Sequence, residues 1–114
     1  MKTLTANPYK SKILLFRGMS PEKFKKDLVK SVPKSWHHIA EQIKPNHLGK
    51  TWYRSGSVII WCRSKSLTTL VHELLHATTY ILDYKGVPIS QDNDECMAYL
   101  QGYLLTQALG LKNG

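Results

Sequence analysis

Apolar and polar positions alternate in two rhythms along this chain. Through residue 65 the apolar positions form short blocks between turn residues; from Ser66 onward they recur mainly at three- and four-residue spacing. The block "KILLFR", residues 12–17, predicts a short buried strand. "MSPEKFKKDLVKSV" then predicts a helix, with Ser20 as its cap and Pro21 at the first position, where a missing N–H costs nothing. A second short helix is expected over "KSWHHIAEQI", stopped by Pro45 and Asn46. "TWYRSGSVIIWCR" reads as a hairpin: Thr51 to Arg54, a turn at Ser55 and Gly56, and an apolar strand Val58 to Cys62.

The second half is helical. Ser66 can cap a helix that runs to about Tyr84 and stops at Gly86, a residue suited to a left-handed C-terminal position, with Pro88 beyond it. Another helix is expected from about Asp92 to Leu109, ending at Gly110. There is no internal repeat, low-complexity tract or interdomain linker. The 114 residues suffice for one core. We therefore expect a single α+β domain over residues 1–114, with a basic α/β part at 1–65 and paired helices at 66–110.

Charge sharpens that division. Residues 1–65 hold 14 Lys and Arg against 3 acids, a net +11, and residues 66–114 hold 2 against 5, a net −3. A basic face could hold nucleic acid, an acidic partner or an acidic polypeptide substrate, and a solvated lysine surface is the plainer reading. With 42% apolar residues the chain is not of disordered type, and no apolar run approaches the roughly 20 residues of a membrane helix. The opening "MKTLTANPYKSKILLFRG" lacks the pattern of a secretory signal, so Cys62 and Cys96 are expected as free thiols in a cytoplasmic protein.

The stretch "LTTLVHELLHATTY" carries the candidate chemistry. Residues four apart on a helix lie one turn above each other, so His72 and His76 project from one face and could grip one cation. Glu73, rotated by about 100°, need not be a ligand, but it can reach a water at an open coordination position. Catalytic zinc usually takes three protein ligands, and two histidines with a carboxylate suit zinc. Downstream of His76 the acids are Asp83, Asp92, Asp94 and Glu95. Glu95, with eighteen residues between it and His76, is the preferred third ligand. It shares a helix face with Ala98, Tyr99 and Gly102, whose small members would let this helix press against the histidine helix, while Asp94 points away.

"HELLH" followed at that spacing by the glutamate of "ECMA" resembles the gluzincin branch of the zincin metallopeptidases, and the length is similar to that of the minigluzincins. The resemblance spans roughly residues 57–105 and implies a compact zincin-like domain. It implies His72, His76 and Glu95 as ligands of one zinc ion, Glu73 as general base on a zinc-bound water, and Val58 to Cys62 as the edge strand beside bound substrate. "VHELLHATTYILDYKG" to "DECMAYLQGYL" is also similar to small uncharacterised phage-encoded proteins, which would place the chain in an infected host's cytoplasm. The pattern departs from thermolysin-like members at Tyr99, where those carry an acid that orients a ligand histidine.

The expected function is therefore zinc-dependent hydrolysis of peptide bonds in a polypeptide substrate. The alternative is a non-catalytic assembly or host-interaction protein with a structural zinc site, binding a protein partner or nucleic acid through its basic half. Glu95 has a structural rival role, since Asp92 and Glu95 match a capping box. Tyr99, Tyr103, His37, His38 and His47 stand as open candidates to stabilise an oxyanion, although the three histidines read more simply as surface or turn residues. Leu70, Leu74, Leu75 and Ile81 are expected in the core.

Overall fold

A computed structural model describes residues 1–111. Four strands, β1 (Lys2–Ala6), β2 (Ser11–Arg17), β3 (Gly49–Arg54) and β4 (Ser57–Cys62), form a mixed sheet in the order β1-β2-β4-β3. β2 and β4 are parallel; the two outer pairs are antiparallel. Helix α1 (Pro21–Ser31) and a 3₁₀ segment, Lys34–Gln42, lie in the crossover between β2 and the β3–β4 hairpin. Helices α2 (Leu67–Tyr84) and α3 (Asp94–Ala108) follow, joined through a short 3₁₀ turn at Gln91–Asn93. The domain is α+β, as expected.

Period-two alternation in the strands splits the interior into two layers. Ile13, Leu15, Val58, Ile60 and Cys62 turn to one face and pack under Leu70, Leu74, Ala77 and Ile81 of α2 and Leu100 and Leu104 of α3. Phe16, Trp52, Ile59 and Trp61 turn to the other, against Phe24 and Leu28 of α1 and Ile39 of the 3₁₀ segment. With layers on both faces, β4 is buried throughout Val58–Cys62, which is why its sequence is an unbroken apolar run. Such a strand belongs inside a sheet. The expectation that Val58 to Cys62 forms an edge is thus corrected: the edges are β1 and β3, and β3 runs beside α2.

Local signals at the ends of elements hold closely. Ser20 Oγ accepts a hydrogen bond from Lys23 N at 3.2 Å and Ser66 Oγ accepts one from Thr69 N at 3.3 Å, so both serines cap. Gly86, at φ +74°, closes α2 with Val87 N donating to Leu82 O and Gly86 N to Asp83 O, the paired bonds of a Schellman turn. Ser55 and Gly56 both have positive φ, the requirement of the two-residue type I′ turn that joins β3 to β4.

Four expectations change. β1 was not foreseen because "KTLTA" has only Leu4 and Ala6 to bury, and its place is decided by antiparallel pairing with β2. The helix expected over residues 34–43 is 3₁₀, anchored by one buried residue, Ile39. Leu75 falls on the outer side of α2 and is 42% exposed. α3 buries Leu100, Leu104 and Ala108, so Ala98, Tyr99 and Gly102 face solvent rather than α2. A Cβ added at Gly102 would meet nothing within 4 Å, so this glycine makes no close helix approach.

Candidate metal centre

Helical spacing alone brings His72 and His76 together. Their Nε2 atoms lie 3.2 Å apart, with ring centroids at 4.8 Å and planes at 79°. Two nitrogens each about 2.0–2.1 Å from one tetrahedral zinc ion would lie about 3.3–3.4 Å apart. The pair therefore has the spacing of adjacent ligands, and both rings are open to solvent.

Glu73 occupies a different environment from its neighbours. It is 5% exposed, on the side of α2 that meets β3. Thr51 Oγ1 donates to its Oε1 at 2.8 Å, while Oε2 stands 4.0 Å from His72 Nε2. One carboxylate oxygen is thus anchored by the strand and the other is turned towards the histidine pair. Beneath it, burial pushes the Cys62 thiol up to about 12, the negative charge of Glu73 adds to the rise, and Arg17 partly offsets it. A thiol held so far above neutral pH is no nucleophile and no ready metal ligand.

A cleft follows the seam between β3 and α2. One part, lined by Leu48, Gly49, Thr68 and Thr69, and a second, lined by Lys50, Thr51, Tyr53 and His76, share His72, Glu73 and Gly49. Gly49 is what permits the approach: a Cβ there would stand 2.8 Å from Thr69 Cγ2 and 3.1 Å from Glu73 Oε2. Gly49→Ala should therefore displace Glu73 and cost about 1–3 kcal/mol through overpacking. Urea denaturation of the variant checks this, and an unchanged midpoint would show that the seam yields without strain.

Gly49, Thr51 and Tyr53 were not singled out from the sequence. The available signal was an isolated glycine opening a strand, which marks close backbone approach. Thr51 and Tyr53 follow at period two on the same side of β3. What the sequence could not say is that this side meets Glu73.

Glu95 lies on the exposed first turn of α3 and lines a separate depression with Asn7, Pro8, Tyr9, Cys96 and Tyr99. Among the described residues, no three His, Cys, Asp or Glu side chains come together as a metal-holding group. The structure thus gathers His72, Glu73 and His76 and leaves Glu95 apart. Among the described residues Glu95 makes no side-chain hydrogen bond or ion pair, so the capping role is not formed and its carboxylate is unengaged. Cys96 is a free, half-buried thiol in that depression.

The oxyanion candidates are placed elsewhere. Tyr99 and Tyr103 stack on each other at 5.9 Å, and Tyr103 Oη accepts from Asn7 Nδ2 at 3.3 Å. His37 Nε2 bonds Val32 O at 2.9 Å, and His47 Nδ1 accepts from Lys44 N at 3.1 Å, so both serve local turns. His38 is exposed, and none of these five residues lines the histidine cleft. Compared with protein families, curated proteins and solved structures, the chain matches none. No helix among the described residues is long and apolar enough to cross a membrane.

Proposed function

We propose that this chain is a zinc-dependent peptidase of the zincin type, with the cleft between β3 and α2 as its active site. The observation that carries this reading is a buried carboxylate, Glu73, set beside two exposed imidazoles whose Nε2 atoms lie 3.2 Å apart. A histidine pair that only decorated a helix would need no buried acid at its side. His72 and His76 would hold the metal, and Glu95, which stands apart from them on the first turn of α3, is the third ligand that the resemblance implies. When bound, zinc supplies a Lewis acid that polarises a carbonyl and makes water more acidic.

The chain's own groups do the rest. Glu73 accepts the proton of the attacking water on Oε2 and passes it to the departing amine, while Thr51 holds Oε1 still. β3 offers the substrate a template. Leu48 O accepts from Arg63 N, and alternation along the antiparallel ladder then turns the N–H and C=O of Gly49, Thr51 and Tyr53 outward at the open edge. An extended polypeptide can pair there and pass directly over Glu73.

Metal content tests this reading. Dialysed wild-type protein should hold about one zinc per chain, and His76→Ala and Glu95→Ala should each lose most of it by elemental analysis. Zinc retained in Glu95→Ala would remove Glu95 from the ligand set. No zinc in the wild type after reloading would sink the peptidase reading. The alternative of an interaction protein draws on the basic first half: α1, with Lys26 and Lys30 exposed, lies on the sheet face opposite α2. An acidic partner or nucleic acid bound there would leave the cleft free.

A further inference from the structure

Beyond the histidines, the cleft runs into a row of three tyrosines. His72, His76, Tyr80 and Tyr84 follow at four-residue steps along one side of α2. Tyr53 of β3 stacks on Tyr80 with centroids 4.2 Å apart and planes at 19°, and Tyr80 stacks on Tyr84 at 5.8 Å and 26°. The row is held in place: Gly56 N donates to Tyr80 Oη at 2.7 Å, and a Cβ at Gly56 would stand 2.9 Å from the Tyr84 ring. One face of the Tyr53 ring is covered by Tyr80. The residue is nonetheless 54% exposed, and it lines the cleft together with His76 and Glu73.

We propose that Tyr53 forms a binding subsite for an aromatic side chain of a bound polypeptide, which continues the tyrosine row as its next ring. Three observations converge on that occupant. The open ring of Tyr53 offers the offset face that aromatic side chains prefer. Its backing by Tyr80 and the Gly56 turn keeps it ordered before binding, so little side-chain entropy is lost on contact. The free backbone groups of Gly49, Thr51 and Tyr53 align an extended chain so that side chains facing α2 fall at every second residue. The residue over Tyr53 is then two positions from the residue over Thr51 and Glu73. This assignment rests on the cleft being a polypeptide site, and it names the feature of the polypeptide that the cleft selects.

The test uses the full-length Glu73→Gln protein in zinc-containing buffer, so that bound peptide is not consumed. Fluorescein-labelled octapeptides of Ala, Ser and Thr, each with one Phe or one Ala at successive positions, are titrated by fluorescence polarisation. One Phe position should bind about tenfold more tightly than its Ala counterpart. Adding Tyr53→Phe should keep the preference, and adding Tyr53→Leu should remove it without a change in far-ultraviolet circular dichroism. Equal affinity for Phe and Ala peptides, a preference that survives Tyr53→Leu, or no binding of any peptide would each overturn the subsite. Incubating the same peptides with wild-type enzyme separates the two ideas. Phe-selective binding without cleavage would remove the peptidase reading and keep the subsite, whereas cleavage indifferent to Phe would do the reverse.

Discussion

On the proposed peptidase reading, Glu73→Gln is expected to lower peptide hydrolysis by about 10²- to 10⁴-fold while the fold and the proposed zinc binding are kept. The side chains have nearly the same shape, and the Gln carbonyl oxygen can still accept the Thr51 hydroxyl that now meets Oε1 at 2.8 Å. What is lost is a group able to take a proton. The amide also removes a buried negative charge, so the variant should melt no lower than the wild type. Turnover of a peptide library, followed by mass spectrometry beside elemental analysis, checks both halves. Activity surviving in Glu73→Gln would assign the base elsewhere, whereas loss of zinc would show that Glu73 contributes to metal binding itself.

The second large effect concerns the opposite layer. Trp61 is fully buried in β4, donates from Nε1 to Met19 O at 2.9 Å, and packs 6.2 Å from the Phe24 ring beneath α1. Trp61→Ala should cost about 3–5 kcal/mol, since it removes a large apolar area and leaves a cavity between two packed layers. It also orphans the Met19 carbonyl. Against a total stability of about 5–15 kcal/mol, that loss would remove from about a fifth to all of the margin. Urea denaturation followed by circular dichroism measures it. A shift under about 1 kcal/mol would mean that the α1 layer collapses onto the gap and contributes little to the core.

The helix caps at Ser20 and Ser66, the stop at Gly86 and the turn at Ser55 and Gly56 were all legible in the sequence, because each depends on residues within five positions of one another. The same locality made the pairing of His72 with His76 legible. β1 was hidden because its two inward residues give too short a pattern, and Leu75 was misplaced because an apolar residue on a helix can face out at little cost. The 3₁₀ segment buries Ile39 and packs Trp36 and Ala40 only partly against the core, and nothing in its local sequence pattern separates that geometry from the expected helix.

By itself, the sequence determined the α+β class, the ends of the main elements and the presence of two imidazoles and a carboxylate on one stretch of α2. The physical reason is that hydrogen-bonding range and helical period are short. Only the tertiary structure decided which strand borders that stretch. It buried β4 between two layers and put β3 at an edge. It set Gly49 and Thr51 against Glu73, made Tyr53 the end of the cleft, and turned the Glu95 face of α3 to solvent. Those outcomes depend on which apolar faces bury the most surface together. That is a property of the whole chain, so no single motif could carry it.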